Sequence, residues 1–344
     1  MSKFYSEILL VQLLATYLVI LGHSYPFVTE VPGWVQDTQL FIYTFHMPLF
    51  VFISGYLLIY TQQSVLKRTT EFFRKRFLKL IIPYFALSLI AILPKYLFQS
   101  YLNDSLSLDA ESIIRVFLVP RENIWGHFWF IPMIFILGIL GFGLDRFFRI
   151  KKWNHLGWGI TTSVSFLTYL ILYKEDITGW LSINDIIYFG WYFSLGALCA
   201  TFNLLNKIEI KGEFSYSFTS IVLSLTLFMI GSHWQIGAFR SALIAVLMIF
   251  GLCELCSVIV RRIHLSRNAI YTQTFTIFLL SWPCQAVANV LTERILYAPW
   301  YVIMTTQFLS GVFGPLIIIY LISIIEKKFR FHWISFILGK QYGK

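Results

Sequence analysis

Three histidines stand in segments that otherwise read as lipid-buried helix: His23, His46 and His127. Imidazole titrates near neutral pH, so it is the side chain suited to taking a proton from a hydroxyl or carrying a transferred group. Polar and ionisable groups are costly inside a bilayer and by default mark a site rather than an anchor. His23 ends a first apolar segment within Gly22-His23-Ser24. His46 lies in Phe45-His46-Met47-Pro48-Leu49-Phe50-Val51-Phe52-Ile53-Ser54-Gly55-Tyr56. There Pro48 removes one helical hydrogen bond, and the freed carbonyl region can line a cavity. His127 opens a further segment in Trp125-Gly126-His127-Phe128-Trp129, where Trp129 reads either as an interfacial anchor or as part of the site. The three histidines fall near one membrane face.

Two other polar groupings accompany them. Gln12, Thr16, Val19 and His23 are spaced 4, 3 and 4 apart, so they share one helical face. Such a stripe belongs in a bundle interior or a water-filled cavity, with Thr16 read as an interhelical hydrogen-bonding residue. Arg74, Lys75, Arg76 and Lys79 precede Pro83-Tyr84, and Arg76 and Lys79 are i, i+3 neighbours. They are either topological charge or a cationic mouth for a phosphorylated ligand, which needs paired cationic donors. Zinc is not expected, because no carboxylate or thiolate lies near the histidines in sequence and none has close ligand spacing. Cys253 and Cys256 form a C-x-x-C on an apolar helix and read as packing, and Ser54-Gly55 as a close helix approach. Glu254 and Arg240 are isolated charges, set about 21 Å apart by the helical rise between them.

The elements that position these residues are membrane helices. The chain of 344 residues is 58% hydrophobic and 13% charged, with a mean hydropathy of +0.71. A soluble domain carries about 25% charge. Apolar runs of about 20 residues, the length of a bilayer span, separate the charges. The pattern predicts an all-α, polytopic helical bundle of about ten spans. They run about 5–25, 38–60, 78–98, 125–145, 156–173, 185–203, 217–232, 237–259, 270–291 and 300–325. Gly231 to Gln235 form the turn between the seventh and eighth. Close spacing and short loops make residues 1–344 one membrane domain. The loop at 99–124 is a cap over a site or a connector.

Most of the 27 Lys and Arg lie on one side. They include Lys67 to Lys79, Arg146 to Lys152, Lys207, Lys211, Arg261, Arg262, Arg267 and the tail from Lys327 to Lys344, together with Lys3. Basic loops face the cytoplasm, so both termini are expected there, in a cell membrane. The opposite loops hold Glu30, Asp37, Asp104, Asp109, Glu111, Glu122, Glu175 and Asp176. The net charge of +10 is thus a topology signal and no argument for nucleic acid. The first span lacks a small-residue cleavage site and is expected to stay.

The glycine-histidine-serine end of the first span, FHMPLFVFISGYL at 45–57, RKRFLKLIIPYF at 74–85 and HFWFIPMIF at 127–135 resemble the membrane acyltransferase-3 family. Within it, the chain is most similar to fucose 4-O-acetylase-type and related surface-polysaccharide O-acyltransferases. WYFSLGALCA at 191–200 and FLLSWPCQ at 278–285 extend the likeness. The resemblance implies ten core helices and transfer of an acyl group, usually acetyl from cytosolic acetyl-CoA, to a carbohydrate hydroxyl at the outer face. No bound cofactor is implied. His23 matches the family's first-span histidine, and Arg76 and Lys79 its third-span basic pair. Gln12 stands where a basic residue is expected, and Ser281 where many relatives carry a ninth-span histidine. The implied roles are catalysis for His23, donor binding for Gln12, Arg76 and Lys79, and the acceptor side for His46, His127 and Trp129. Expected partners are acyl-CoA, a carbohydrate or lipid-linked glycan, and membrane lipids. Two other readings of the residues stand beside this one. In the first, the stripe lines the path of a polysaccharide or lipid-linked sugar exporter. In the second, the chain is a degenerate relative serving as an assembly partner.

Overall fold

The computed structural model describes residues 3–98, 107–173, 179–205, 214–230, 237–262, 273–330 and 332–339. No strand occurs among the described residues. A backbone that must satisfy itself without water forms helices or closed barrels, and apolar runs of about 20 residues have the length of helices and exceed barrel strands. The order is α1 (Lys3–Gly22), α2 (Gly33–Tyr60), short α3 (Gln63–Leu66) and α4 (Thr69–Arg76). α4 runs through a π-turn at Phe77–Ile81 into α5 (Ile82–Phe98). α6 (Ala110–Leu118), α7 (Phe130–Ile150), α8 (Asn154–Leu172), α9 (Ile183–Thr201), α10 (Phe214–Met229) and α11 (Ala238–Arg262) follow. α12 (Thr274–Asn289) passes through a π-turn at Val290–Ile295, before α13 (Trp300–Phe329) and α14 (Trp333–Ile337).

Each of the ten expected spans falls on one of these helices. Among the described residues, 6 stretches are long and apolar enough to cross a membrane: Gly33–Tyr60, Thr69–Leu97, Phe130–Ile150, Ala238–Arg262, Thr274–Ile295 and Trp300–Phe329. α1 and α10 supply shorter apolar stretches. α8 and α9 have 19 residues each but are diluted by polar ones such as Asn154, Thr161, Thr162, Asn184 and Asp185. Two boundaries differ from expectation. α2 begins at Gly33, before the expected 38, because Pro32 sits at its N-cap with no breaker after it. α7 begins at Phe130 and not at 125, because Trp125–Trp129 is tied into turns. The expected turn at Gly231–Gln235 lies outside the described residues. So do Asp104, Glu175, Asp176, Lys207, Lys211, Arg267, Lys340 and Lys344.

α1 touches α2, α11, α12 and α13, so the helix ending in His23 is central to the bundle. α2 packs against α1, α7, α9 and α11. Its contact with α9 is a close approach of backbones. A Cβ added at Gly55 would lie 1.9 Å from the Phe193 carbonyl oxygen, and one at Gly196 would lie 2.0 Å from that of Phe52. Ser54-Gly55 is therefore a packing feature, as its sequence suggests. Phe52, Tyr56, Ile131, Met133, Tyr192 and Ile249 lie in the main core around this contact. At the basic end, buried Asp145 accepts from Ser64, from Arg149 Nε at 2.8 Å and from Trp158 Nε1 at 3.3 Å, joining α3, α7 and α8. The 28 residues of α2 carry the chain away from the His23 end of α1 to α3 and α4, so the Arg76–Lys79 region follows from the opposite end of α2.

Candidate active site

His23 sits one residue beyond α1, its backbone N–H still donating to Val19 O at 3.0 Å. Gly22 lets α2 come close: a Cβ there would be 2.9 Å from Tyr43 Cε1. The Tyr43 hydroxyl donates to Gly22 O at 2.9 Å and lies 3.4 Å from His23 Nδ1. Gln39 Nε2 braces the same point from 3.1 Å to Gly22 O and 3.3 Å to the Tyr43 oxygen. With the Tyr43 hydrogen committed to Gly22, that oxygen accepts from His23 Nδ1–H. The tautomer assigned from these partners leaves Nε2 of His23 with a free lone pair.

The other two histidines converge on this point. The His127 ring centroid is 6.4 Å from that of His23, and the Trp282 centroid lies 5.2 Å from His23, edge-on, and 6.0 Å from His127, tilted. His127 Nε2 donates to Phe278 O of α12 at 3.0 Å. Its ring also stands edge-on to Phe278 and to Phe128, at 4.8 and 4.9 Å. His46 Nδ1 donates to Ile42 O one turn back at 2.8 Å, and its ring faces Tyr43 at 5.2 Å. A carbonyl therefore fixes the tautomer of each of these rings. His127 Nδ1 is buried and has no partner among the described residues. An orphaned acceptor of this kind costs about 1–3 kcal/mol, so its retention asks for a reason.

Local structure explains how His127 reaches the interior. The connector before α7 is pinned to α5: Asn123 Nδ2 donates to Ser88 Oγ at 2.8 Å and to Val116 O at 2.9 Å. Asn123 Oδ1 accepts from Trp125 N at 3.0 Å, and Trp125 Nε1 donates to Leu87 O at 3.1 Å. α6 is capped by Asp109, which accepts from Ser112 N at 2.9 Å; hydrogen bonds from Ser107 and Ser112 hold that carboxyl below its usual range. The described part of the 99–124 loop is thus an ordered brace for His127.

The segment after His23 is held by α12 and α13. Trp282, Gln285, Asn289 and Glu293 are spaced 3, 4 and 4 apart, one helical face. Gln285 Nε2 donates to Ile20 O and to Ser24 Oγ, both at 2.8 Å. The Glu293 carboxylate accepts from the backbone N–H groups of Phe27 and Val28 at 2.8 Å and of Thr29 at 2.6 Å. Gln307 Nε2 donates to Tyr25 O at 3.1 Å. Asn289 is fully buried, and neither polar atom of its amide has a partner among the described residues. Sequence reasoning missed Tyr43, Trp282, Gln285, Asn289 and Glu293. The polar spacing on α12 carried the same kind of signal as the stripe on α1.

The remaining predicted residues are placed less centrally. Trp129 does not stack on the histidines. It lies between Phe189, at 5.3 Å, and the Arg121 guanidinium, 4.2 Å above its ring. Arg121 is paired with buried Asp185 of α9 at 2.7 Å, so Trp129 supports the connector. Thr16 donates to its own helix at Gln12 O, 2.9 Å away, and makes no interhelical bond among the described residues. Gln12 is half-buried, and its side-chain amide makes no hydrogen bond among the described residues. Arg76 turns inward, donating from Nη2 to Ile134 O at 2.7 Å. Its guanidinium fills the notch at Gly138, where a Cβ would come within 2.2 Å. Lys79 is exposed, its ammonium 5.9 Å over Phe275. The π-turn that begins after Arg76 and contains Lys79 sends the two side chains to different neighbours, although they remain close enough to repel. Ser281 turns its hydroxyl onto Phe278 O at 3.0 Å. Cys199 and Cys256 are buried in the core. No group of three or more His, Cys, Asp or Glu that could hold a metal ion occurs among the described residues.

A family model described as an acyltransferase domain matches residues 5–338. No curated protein matches the chain, and no solved structure matches it.

Proposed function

The chain belongs to the membrane acyltransferase-3 family, and on that premise we propose that it moves an acyl group, acetyl by preference, from cytosolic acyl-CoA to a hydroxyl of a cell-surface carbohydrate or lipid-linked glycan. The domain supports acyl transfer in general; donor and acceptor are part of the proposal. The observation that carries it is the convergence of His23, His127 and Trp282 at one end of a central helix, opposite a basic end. The protein lies in the cell membrane with both termini in the cytoplasm.

The donor enters at Arg76 and Lys79, where its phosphates meet Lys79 first. Its pantetheine arm extends along α1 past Gln12, which offers an amide and no charge. From Gln12 to His23 is 11 residues, about 16 Å of helix. His23, held by Tyr43, acts through Nε2 as general base on the acceptor hydroxyl or as a transient acyl carrier. His46 and His127 shape the acceptor side, and Trp129 supports it through the connector. Atoms balance as acyl thioester plus hydroxyl giving ester plus thiol, with no resident cofactor required. The test is mass spectrometry of surface glycans with and without the protein, alongside acetyl-CoA consumption by the purified protein in vesicles. Loss of O-acetyl groups with consumption of acetyl-CoA is expected. Sugar movement across the vesicle without acetyl-CoA consumption overturns the reading in favour of an exporter.

A further inference from the structure

We infer that His127 is a second catalytic imidazole, whose Nδ1 takes the proton of the acceptor hydroxyl during acyl transfer. This rests on the acyltransferase reading and assigns within it a step that the first-span histidine was expected to perform.

Hydrogen bonding fixes the tautomer of His127. A neutral imidazole has one N–H and one bare nitrogen. His127 Nε2 lies 3.0 Å from the Phe278 carbonyl oxygen, which only accepts, so the hydrogen is on Nε2 and the lone pair on Nδ1. That lone pair is buried, in a residue 3% exposed, and has no partner among the described residues. The ring it belongs to is one of three, with His23 and Trp282, whose centroids lie 5.2–6.4 Å from each other. His23 Nδ1 is turned to Tyr43 and His46 Nδ1 to Ile42 O. Of the three histidines, only His127 has a ring nitrogen that is both buried and without a partner among the described residues. The protein also holds this ring firmly. Asn123, Trp125 and Phe128 fix the connector from one side, and Phe278 O anchors the ring from the other. Firm anchoring of one nitrogen, with the other left bare, is how an imidazole is set as a base of defined direction.

In the step, the hydroxyl O–H bond breaks and its proton moves to Nδ1. The oxygen forms a bond to the acyl carbonyl carbon, and the carbon–sulfur bond breaks. The departing CoA thiolate then takes the proton from His127, which returns the ring to its starting state. His23, across from it at a ring separation of 6.4 Å, is left to orient the acyl carbonyl.

The experiment uses membranes containing the full chain, radiolabelled acetyl-CoA as the probe, and alkali-labile label in the carbohydrate fraction as the readout. His127→Gln keeps an amide N–H able to reach Phe278 O but has no basic nitrogen. It is expected to remain folded, to bind acetyl-CoA like the wild type and to lower the maximal rate of labelling about 10²–10⁴-fold. In His127→Ala, added imidazoles are expected to restore labelling in proportion to their basicity, a trend that a cavity filler of merely structural effect would not produce. Labelling by His127→Gln within a few-fold of the wild type, or rescue of His127→Ala indifferent to basicity, overturns the role of His127 alone. A wild type that neither binds nor consumes acetyl-CoA overturns the acyltransferase reading, and this step with it.

Discussion

Replacing Arg76 and Lys79 one at a time separates two jobs that the sequence runs together. Arg76 spends its guanidinium on Ile134 O at 2.7 Å and on the notch at Gly138. A hydrogen bond from a charged donor contributes about 1.5–3 kcal/mol. Arg76→Ala loses that bond and empties the notch, a cost of about the same size to the fold. Lys79 is exposed, and its one described contact is a cation–π approach of 5.9 Å to Phe275, worth about 0.5–1 kcal/mol at an exposed site. Lys79→Ala should leave stability nearly unchanged. If its ammonium meets a CoA phosphate, the lost charged hydrogen bond is again about 1.5–3 kcal/mol, which at about 1.4 kcal/mol per decade is one to two decades in Kd. The assay pairs calorimetric titration of acetyl-CoA and desulfo-CoA with thermal unfolding, both on detergent-purified protein. The expected pattern is a lowered unfolding midpoint for Arg76→Ala and a selective loss of CoA affinity for Lys79→Ala. Wild-type CoA affinity in Lys79→Ala would refute the donor mouth, and an unchanged midpoint in Arg76→Ala would refute the packing role.

Four further outcomes follow from the same structure. His23→Ala should lower acyl transfer about 10²–10⁴-fold in membranes while leaving a folded protein, and His46→Ala should be milder; near-normal transfer by His23→Ala removes it from the chemistry. In a variant lacking the four native cysteines, an impermeant thiol reagent applied outside should label a cysteine at exposed Glu111 and spare one at exposed Thr70, and the reverse labelling inverts the topology. Gly196→Ala places a Cβ 2.0 Å from Phe52 O, so α2 and α9 must part at an overpacking cost of about 1–3 kcal/mol, read as a lower unfolding midpoint. Gln12→Arg should fold and tighten CoA binding, because a phosphate-bearing ligand offsets the new charge; loss of folded protein on this change would count against a donor path along α1.

The fold class is legible in the residues alone. Apolar runs with clustered charges can only become membrane helices, and each of the ten expected spans falls on a helix. The sequence also singled out His23, since a histidine ending an apolar span is conspicuous by type alone, and it read Ser54-Gly55 correctly as a place where helices touch. The site around His23 was a matter of tertiary structure. Trp282 and Phe278 come from α12 and Tyr43 from α2, and periodicity along one helix says nothing about which helix it will meet. His127 was visible as a residue, but its tautomer depends on Phe278, 151 positions away in the chain. Trp129 was drawn to Arg121 and Phe189, because a guanidinium paired with buried Asp185 offers its ring a flat cationic partner. Arg76 and Lys79 look equivalent at i, i+3, but the π-turn at Phe77–Ile81 gives one a packed notch and the other an open surface. Spacing fixes which residues share a helix face; which nitrogen is left bare, and which charge is free to meet a ligand, follows from the neighbours that packing brings.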